Sequence, residues 1–274
     1  MAKKTLKKIM KLVVNTLIAA IFIMPFYWMF LTSLKTLVEA IKVPPNFWVT
    51  VPQWINYATA FKAIPFLSML KNSIIVATGI MICQFITVIP AAYAFARFQF
   101  KGKHLIFGIM LATMMIPPQL IFLPVFLMFS KWGLINSYAS LILPFASSAF
   151  GIFMLRQTFM QVPEELLEAA RLDHASEFKI LWRIMLPIAR PTVVTLVLFS
   201  FITAWNDYFW PFVLTTNNDV RTLPVGIASL FNSSSGVNYQ IVMAGNVMLV
   251  APVLIAFFFA QKQIIKGFTY MGEK

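Results

Sequence analysis

Charge is what this chain has least of. Only 11% of its 274 residues are Asp, Glu, Lys or Arg, against about a quarter in an ordinary soluble domain. A single cysteine, Cys83, excludes an internal disulfide and a cysteine-built zinc site. Two histidines, His104 and His174, cannot supply a histidine-rich metal centre, so no metal site is expected. A G-x-x-x-x-G-K-[ST] loop is absent, which excludes ATP binding of the P-loop kind. The apolar segments hold neither paired carboxylates nor a nucleophile with a histidine partner, which argues against an enzyme.

What is present is apolar. Hydrophobic residues make up 60% of the chain and aromatics 15%, with a mean hydropathy of +0.81. A soluble fold of this composition could not cover its own surface, so the solvent is lipid. The formal net charge of +13 invites a nucleic-acid reading. The basic residues, however, sit in short clusters between apolar runs instead of along one face, and no nucleic acid is expected.

Six stretches are long enough to cross a bilayer as helices: 12–34, 72–96, 105–129, 138–159, 191–214 and 239–260. The lysine-rich start (Lys3, Lys4, Lys7, Lys8, Lys11) is like that of a signal peptide. The apolar run behind it is too long for a signal core, and no small-x-small site closes it, so it reads as a retained span. The expected fold is an all-α integral membrane protein, a single transmembrane domain over 1–274 with six helices. Sixteen of the 22 basic residues fall on one side if both ends share it, and six (Lys35, Lys42, Lys62, Lys71, Lys131, Arg221) on the other. Basic loops stay in the cytoplasm, which places both termini there.

Prolines punctuate the spans at positions 25, 90, 117, 118, 124, 144, 211 and 252. Each is expected to bend or break its helix, because it removes a backbone donor. The Pro117-Pro118…Pro124 cluster predicts a third span that lines a wet or moving path.

Five of the nine acids (Glu164, Glu165, Glu168, Asp173, Glu177) crowd into the 160–190 loop. Pro163 suits a first helical turn, the two glutamates behind it suit the positive end of a helix dipole, and Leu166, Leu167, Ala169, Ala170 and Leu172 recur at helical spacing. Anionic headgroups repel such a patch, so the short amphipathic helix points to a protein partner.

Here the residues resemble a family. Glu168-Ala169-Ala170, three residues, His174, nine residues, Ile184, one residue, then Leu186-Pro187 is similar to the "EAA" loop of ABC importer permeases. Six of the seven specified positions match, and the departure is His174, where the family has glycine. Further stretches resemble the carbohydrate-uptake branch, and most closely the second permease of maltose and multiple-sugar importers. They are Ile64-Pro65-Phe66 before Asn72-Ser73, Pro117 with Pro124, Gly151-Ile152-Phe153 through Arg156-Gln157, Ala204-Trp205-Asn206-Asp207 with Trp210-Pro211, Thr222-Leu223-Pro224-Val225-Gly226, and Lys266-Gly267.

The resemblance implies a type I importer architecture in a bacterial or archaeal cytoplasmic membrane. Its partners would be a second permease subunit, two ATPase subunits that bind Mg-ATP, and an extracytoplasmic sugar-binding protein. This chain would carry no cofactor of its own. Glu168, Ala169, Ala170, Asp173 and His174 would form the coupling segment that docks on an ATPase, and the tail after Lys266 would reach the ATPase dimer. His174 is expected at the glycine's turn, since His is among the few residues enriched at positive φ. Segments 36–71 and 215–238 would receive the binding protein, with a plain connecting loop as the alternative for the second.

For the path, Trp205, Asn206, Asp207 and Tyr208, with Trp210, are the candidates. Sugars pair with carboxylates, amides and aromatic faces, and an acid at membrane depth is a functional candidate. The alternative is an interfacial aromatic belt with Asp207 in a structural role. Glycerol phosphate or another small polar solute is the rival cargo. A secondary transporter is the rival class, disfavoured because Asp207 is the one acid in the spans.

Overall fold

The computed structural model describes residues 2–232 and 236–272, with side chains over 7–231 and 236–262. Ser233, Ser234 and Ser235, expected in a loop, fall outside the described residues, and of Lys266 only the backbone is described. Among the described residues the regular structure is helical throughout. In chain order the α-helices are α1 (Ala2–Ser33), α2 (Leu37–Ala40), α3 (Ile55–Ala63), α4 (Phe66–Arg97), α5 (Lys103–Thr113), α6 (Phe122–Lys131), α7 (Tyr138–Ile142), α8 (Ala149–Met160), α9 (Glu164–Leu172), α10 (Glu177–Ile180), α11 (Leu186–Ile188), α12 (Arg190–Asn206), α13 (Phe209–Leu214), α14 (Leu223–Ser229) and α15 (Tyr239–Gly272).

Among the described residues three helices are long and apolar enough to span alone: Lys7–Ser33, Phe66–Arg97 and Tyr239–Lys262. Three helix pairs pass the same test of length and composition together but are bent, which gives up to six spans if each pair is one. Lys103–Thr113 and Pro118–Lys131 meet at 93°. Tyr138–Phe145 and Ala149–Met160 meet at 41°, and Glu177–Ile188 and Arg190–Asn206 at 83°.

The prolines explain where breaks fall, with one correction. Pro25, Pro90 and Pro252 lie inside continuous helices. One missing donor is tolerated there, because opening the backbone in hydrocarbon would expose further unpaired groups. Breaks need more. At the third span Pro117 takes an extended conformation (φ −58°, ψ 127°), because Pro118 behind it disfavours the helical well. At the fourth, Ser148 leaves helical geometry and caps α8 by accepting from the Gly151 N–H at 3.0 Å. Ahead of the 191–214 segment, the chain runs Glu177–Ile188 through a π-helical turn and turns at Ala189 before Pro191.

The chain divides into two compact units. One comprises Met1–Phe66 and Gly226–Pro252. Its α1 exposes apolar residues on all sides from Ile9 to Phe26, as a lipid-facing span does. Beyond α1, Asn56 Nδ2 donates to the carbonyls of Ser33 (2.8 Å) and Lys35 (2.9 Å), and Lys35 Nζ donates to the Asn46 carbonyl at 2.6 Å.

The other unit, Leu67–Val225 with Val253–Lys274, holds two separate cores. One gathers Val88, Ala92, Leu155, Phe159, Leu167, Ile180 and Met185 near the Arg97 end of α4. The second gathers Val76, Ile80, Leu141, Trp210 and Leu214. Gly151 permits the first to close: a Cβ there would lie 2.9 Å from Leu196 Cδ1 and 3.2 Å from Val88 Cγ1. Between the two cores, on α4, stands Gln84.

Candidate functional site

Two places in the larger unit carry chemistry. The first is the acidic segment. Pro163 sits one position before α9 instead of within its first turn, with ψ 139°, and Glu164 and Glu165 fill that turn. The placement follows from chain geometry, since an extended proline ends the preceding turn while its φ still suits the helix that follows. Leu167 is the one buried residue of α9, at 0% exposure, whereas Glu165, Glu168, Ala169 and Leu172 face outward. Glu168 and Leu172 lie one turn apart, so the outer face presents an acid beside an apolar side chain.

The helix closes with a Schellman turn. The Ala175 N–H donates to the Ala170 carbonyl and the His174 N–H to the Arg171 carbonyl, both at 3.0 Å. His174 occupies the left-handed position with φ +54°. The turn expected in place of the glycine is present, with Asp173 as the preceding cap residue.

A chain of ion pairs ties this segment to α4. Arg97 Nη1 donates to Glu164 Oε2 at 2.6 Å, while Nη2 donates to the Phe159 carbonyl at 2.7 Å and to that of Val162. Glu164 Oε1 accepts from Arg171 Nη1 at 3.1 Å, and Arg171 Nε donates to Glu177 Oε1 at 3.0 Å. Glu177 Oε2 accepts from the Tyr93 hydroxyl at 2.5 Å. Partial burial of Glu177 opposes its ionisation. The hydrogen bonds from Tyr93 and Arg171 outweigh it and hold the carboxyl below its ordinary pKa of 4.5. Hydrogen bonds to Glu177 and Glu164 push Arg171 in turn above its ordinary value. Sequence reasoning missed Arg97 and Tyr93, whose only signal is their spacing of one turn at the end of a span.

The second place is a cavity of about 290 Å³ lined by Gln84, Ser147, Ser148, Ser200, Thr203 and Asp207 among apolar neighbours. Of the four path candidates, Asp207 alone lines it. Asp207 falls at the break between α12 and α13, where its Oδ1 accepts from the Trp210 N–H at 3.3 Å. Trp205 is buried, with its ring 5.4 Å from that of Phe201. Asn206 donates to the Ile202 carbonyl at 2.9 Å, and Tyr208 stacks on Phe212 at 5.2 Å. The helical screw explains the scatter: consecutive residues at the end of α12 point about 100° apart.

The neutral polar lining comes from residues the sequence did not single out. Gln84 on α4 donates to the Phe145 carbonyl at 3.0 Å and accepts from Ser200 Oγ at 2.5 Å. Ser147 and Ser148 belong to the break before α8. They also border a wider, mainly apolar groove of about 790 Å³ along the broken third span, where Pro118 and Ile116 stand. None of the residues lining the cavity is Lys or Arg.

Several long apolar helices and bent helix pairs, with a capped acidic helix and a small cavity of mixed lining in the larger unit, define a multi-pass membrane protein. The family of the binding-protein-dependent transport system inner membrane component matches residues 86–270, and the chain belongs to it. It is 36% identical over 203 residues to the arabinooligosaccharides transport system permease protein AraQ of Halalkalibacterium halodurans, covering 74% of this chain and 72% of that one. It is 33% identical over 204 residues to the sn-glycerol-3-phosphate transport system permease protein UgpE of Yersinia pestis, covering 74% and 73%. Among solved structures, a chain from a bacterial ABC transporter involved in the import of the acidic polysaccharide alginate superposes with a TM-score of 0.80. That chain is 25% identical, with 96% of this chain and 98% of that one covered. The protein is thus an inner-membrane permease of the ABC importer class.

Proposed function

We propose that this permease carries a neutral sugar or oligosaccharide, delivered by an extracytoplasmic binding protein and driven by Mg-ATP on two separate ATPase subunits. A second permease completes the path. The observation that carries the cargo assignment is the cavity between α4 and α12: a carboxylate, an amide and several hydroxyls with no cation. Hydroxyl groups of a sugar can donate to Asp207 and exchange hydrogen bonds with Gln84, Ser200 and Thr203. Phosphate calls instead for Arg, Lys or an array of backbone N–H groups. The likeness to AraQ supports the same reading, while the likeness to UgpE keeps glycerol phosphate as the reading to be tested against it.

In this reading Glu168, Ala169, Ala170, Asp173 and His174 form the docking face for an ATPase. Glu168 meets a basic groove, Ala169 and Ala170 allow close approach, and the capped turn at His174 fixes where the helix ends. ATP binding favours the closed ATPase pair, and that differential affinity shifts the permease between its two access states.

The test is uptake into proteoliposomes holding the complete complex and ATP, with the binding protein added outside. Labelled arabino-oligosaccharide or lactose is expected to accumulate, and sn-glycerol 3-phosphate is expected neither to accumulate nor to compete. Accumulation of the phosphate ester with no uptake of neutral sugars would overturn the assignment.

A further inference from the structure

We propose that Arg97 is the positioning residue through which movement of the acidic helix α9 is passed into the α4 span and on to the cavity wall. The proposal rests on the reading of α9 as the ATPase-docking helix.

The apolar anchorage of α9 is narrow: Leu167 is fully buried and Ala170 packs, partly buried, against the same core. So small an apolar contact leaves the orientation of a short helix to what else holds it. That is the ring Arg97–Glu164–Arg171–Glu177–Tyr93, which leaves α4 at position 97, passes through α9 and α10, and returns to α4 at position 93. Tyr93 and Arg97 share one face of α4, being one turn apart, and the ring therefore closes on a single rigid element.

Its corners are unequal. Side-chain exposure is 48% at Glu164, 37% at Arg171 and 41% at Glu177, but 9% at Arg97. Exposed pairs are weak and screened by salt, so the ring is anchored at its two least exposed corners, Arg97 and Tyr93 on α4, and of these Arg97 is the one bonded directly to α9. The same guanidinium also holds the Phe159 and Val162 carbonyls at the end of α8. Three elements thus converge on one planar fork, a geometry that the point charge of a lysine does not reproduce.

From Arg97, α4 continues unbroken through Pro90 to Gln84. The distance is about 20 Å at the rise of an α-helix. Gln84 bridges the Phe145 carbonyl and Ser200 at the cavity. A displacement of α9 is therefore delivered along one continuous helix to the wall that changes access.

The experiment measures ATP hydrolysis and labelled arabino-oligosaccharide or lactose uptake in the same proteoliposomes, with the full complex and its binding protein. With Arg97→Gln, hydrolysis per complex is expected to stay within about twofold while uptake per ATP falls on the order of tenfold, a loss of the size typical of coupling between sites. Arg97→Lys should fall between the two, and Tyr93→Phe should give a smaller loss in the same ratio. A purely structural role would lower the amount of complex and leave the ratio in the recovered fraction unchanged. An unchanged ratio overturns the proposal.

Should Arg97→Gln fail to assemble, Glu164→Gln removes the same ion pair and leaves Arg97 on its two carbonyls. The ratio must fall there too, or the proposal is lost. Glu168→Lys, run in parallel, separates this claim from the docking reading on which it rests. Full ATPase stimulation with Glu168→Lys discards that reading of the docking face. A normal ratio with Arg97→Gln beside a defective Glu168→Lys discards only the role of Arg97.

Discussion

Ser200 Oγ donates to Gln84 Oε1 across 2.5 Å, joining α12 to α4 over 116 residues of chain. The other end of the same amide reaches the Phe145 carbonyl at 3.0 Å. One side chain thus holds together the three elements around the cavity. Gln84→Leu should destabilise the protein by about 1–3 kcal/mol, because it strands a hydroxyl and a carbonyl in an apolar surrounding. Ser200→Ala should cost less, about 1 kcal/mol. Thermal unfolding in detergent checks the order, and equal stability of Gln84→Leu and the parent protein would remove Gln84 from this structural role.

Asp207 is the one carboxylate lining the cavity. Asp207→Asn keeps an oxygen for the Trp210 N–H and removes the charge. The expected outcome is slower uptake at limiting sugar in a complex that still co-purifies with its partners. Unaltered uptake would confine Asp207 to capping the break before α13.

His174 holds a left-handed turn that glycine holds at less cost, the difference being on the order of 1 kcal/mol. His174→Gly should therefore be tolerated or mildly stabilising. His174→Val, β-branched and poorly suited to positive φ, should open the Schellman turn and reduce recovery of the ATPase subunits on co-purification. Equal recovery with both variants would show that the turn does not matter for assembly.

The pH dependence of the α9–α10 tie follows from Glu177. Its pKa lies below 4.5 in the folded protein. The stabilisation it supplies is therefore present above that ordinary value and is lost as pH falls through the lowered one. Glu177→Gln should be less stable than the parent protein at neutral pH, and the gap should narrow below pH 4.5. A gap that stays constant with pH would mean that the charge of Glu177 contributes nothing.

Orientation is checked by labelling. In a Cys83→Ala background, Ser176→Cys should react only from the cytoplasmic side and Ser234→Cys only from outside. Reaction of both from one face would contradict the distribution of basic residues.

Composition and period alone determined that this is an all-helical, multi-pass membrane protein with an acidic amphipathic helix over 164–172. Hydrocarbon imposes a length and an apolar composition that no other solvent demands, and the loop from Glu164 to His174 is local, with its caps, charges and left-handed turn written within about a dozen neighbouring positions. Which prolines break a helix is local too: Pro90 and Pro117 each remove one donor, and the outcome depends on the proline and cap residues beside each. Only the tertiary structure decided what faces the cavity. Trp205, Asn206, Asp207 and Tyr208 are consecutive, but the helical screw and the break at position 207 send them different ways. Gln84 and Ser200 come from spans whose apolar residues give no hint of pairing. Arg97 likewise meets Glu164 across 67 residues. Such contacts join segments that period and propensity treat separately, so folding has to bring them together before their chemistry exists.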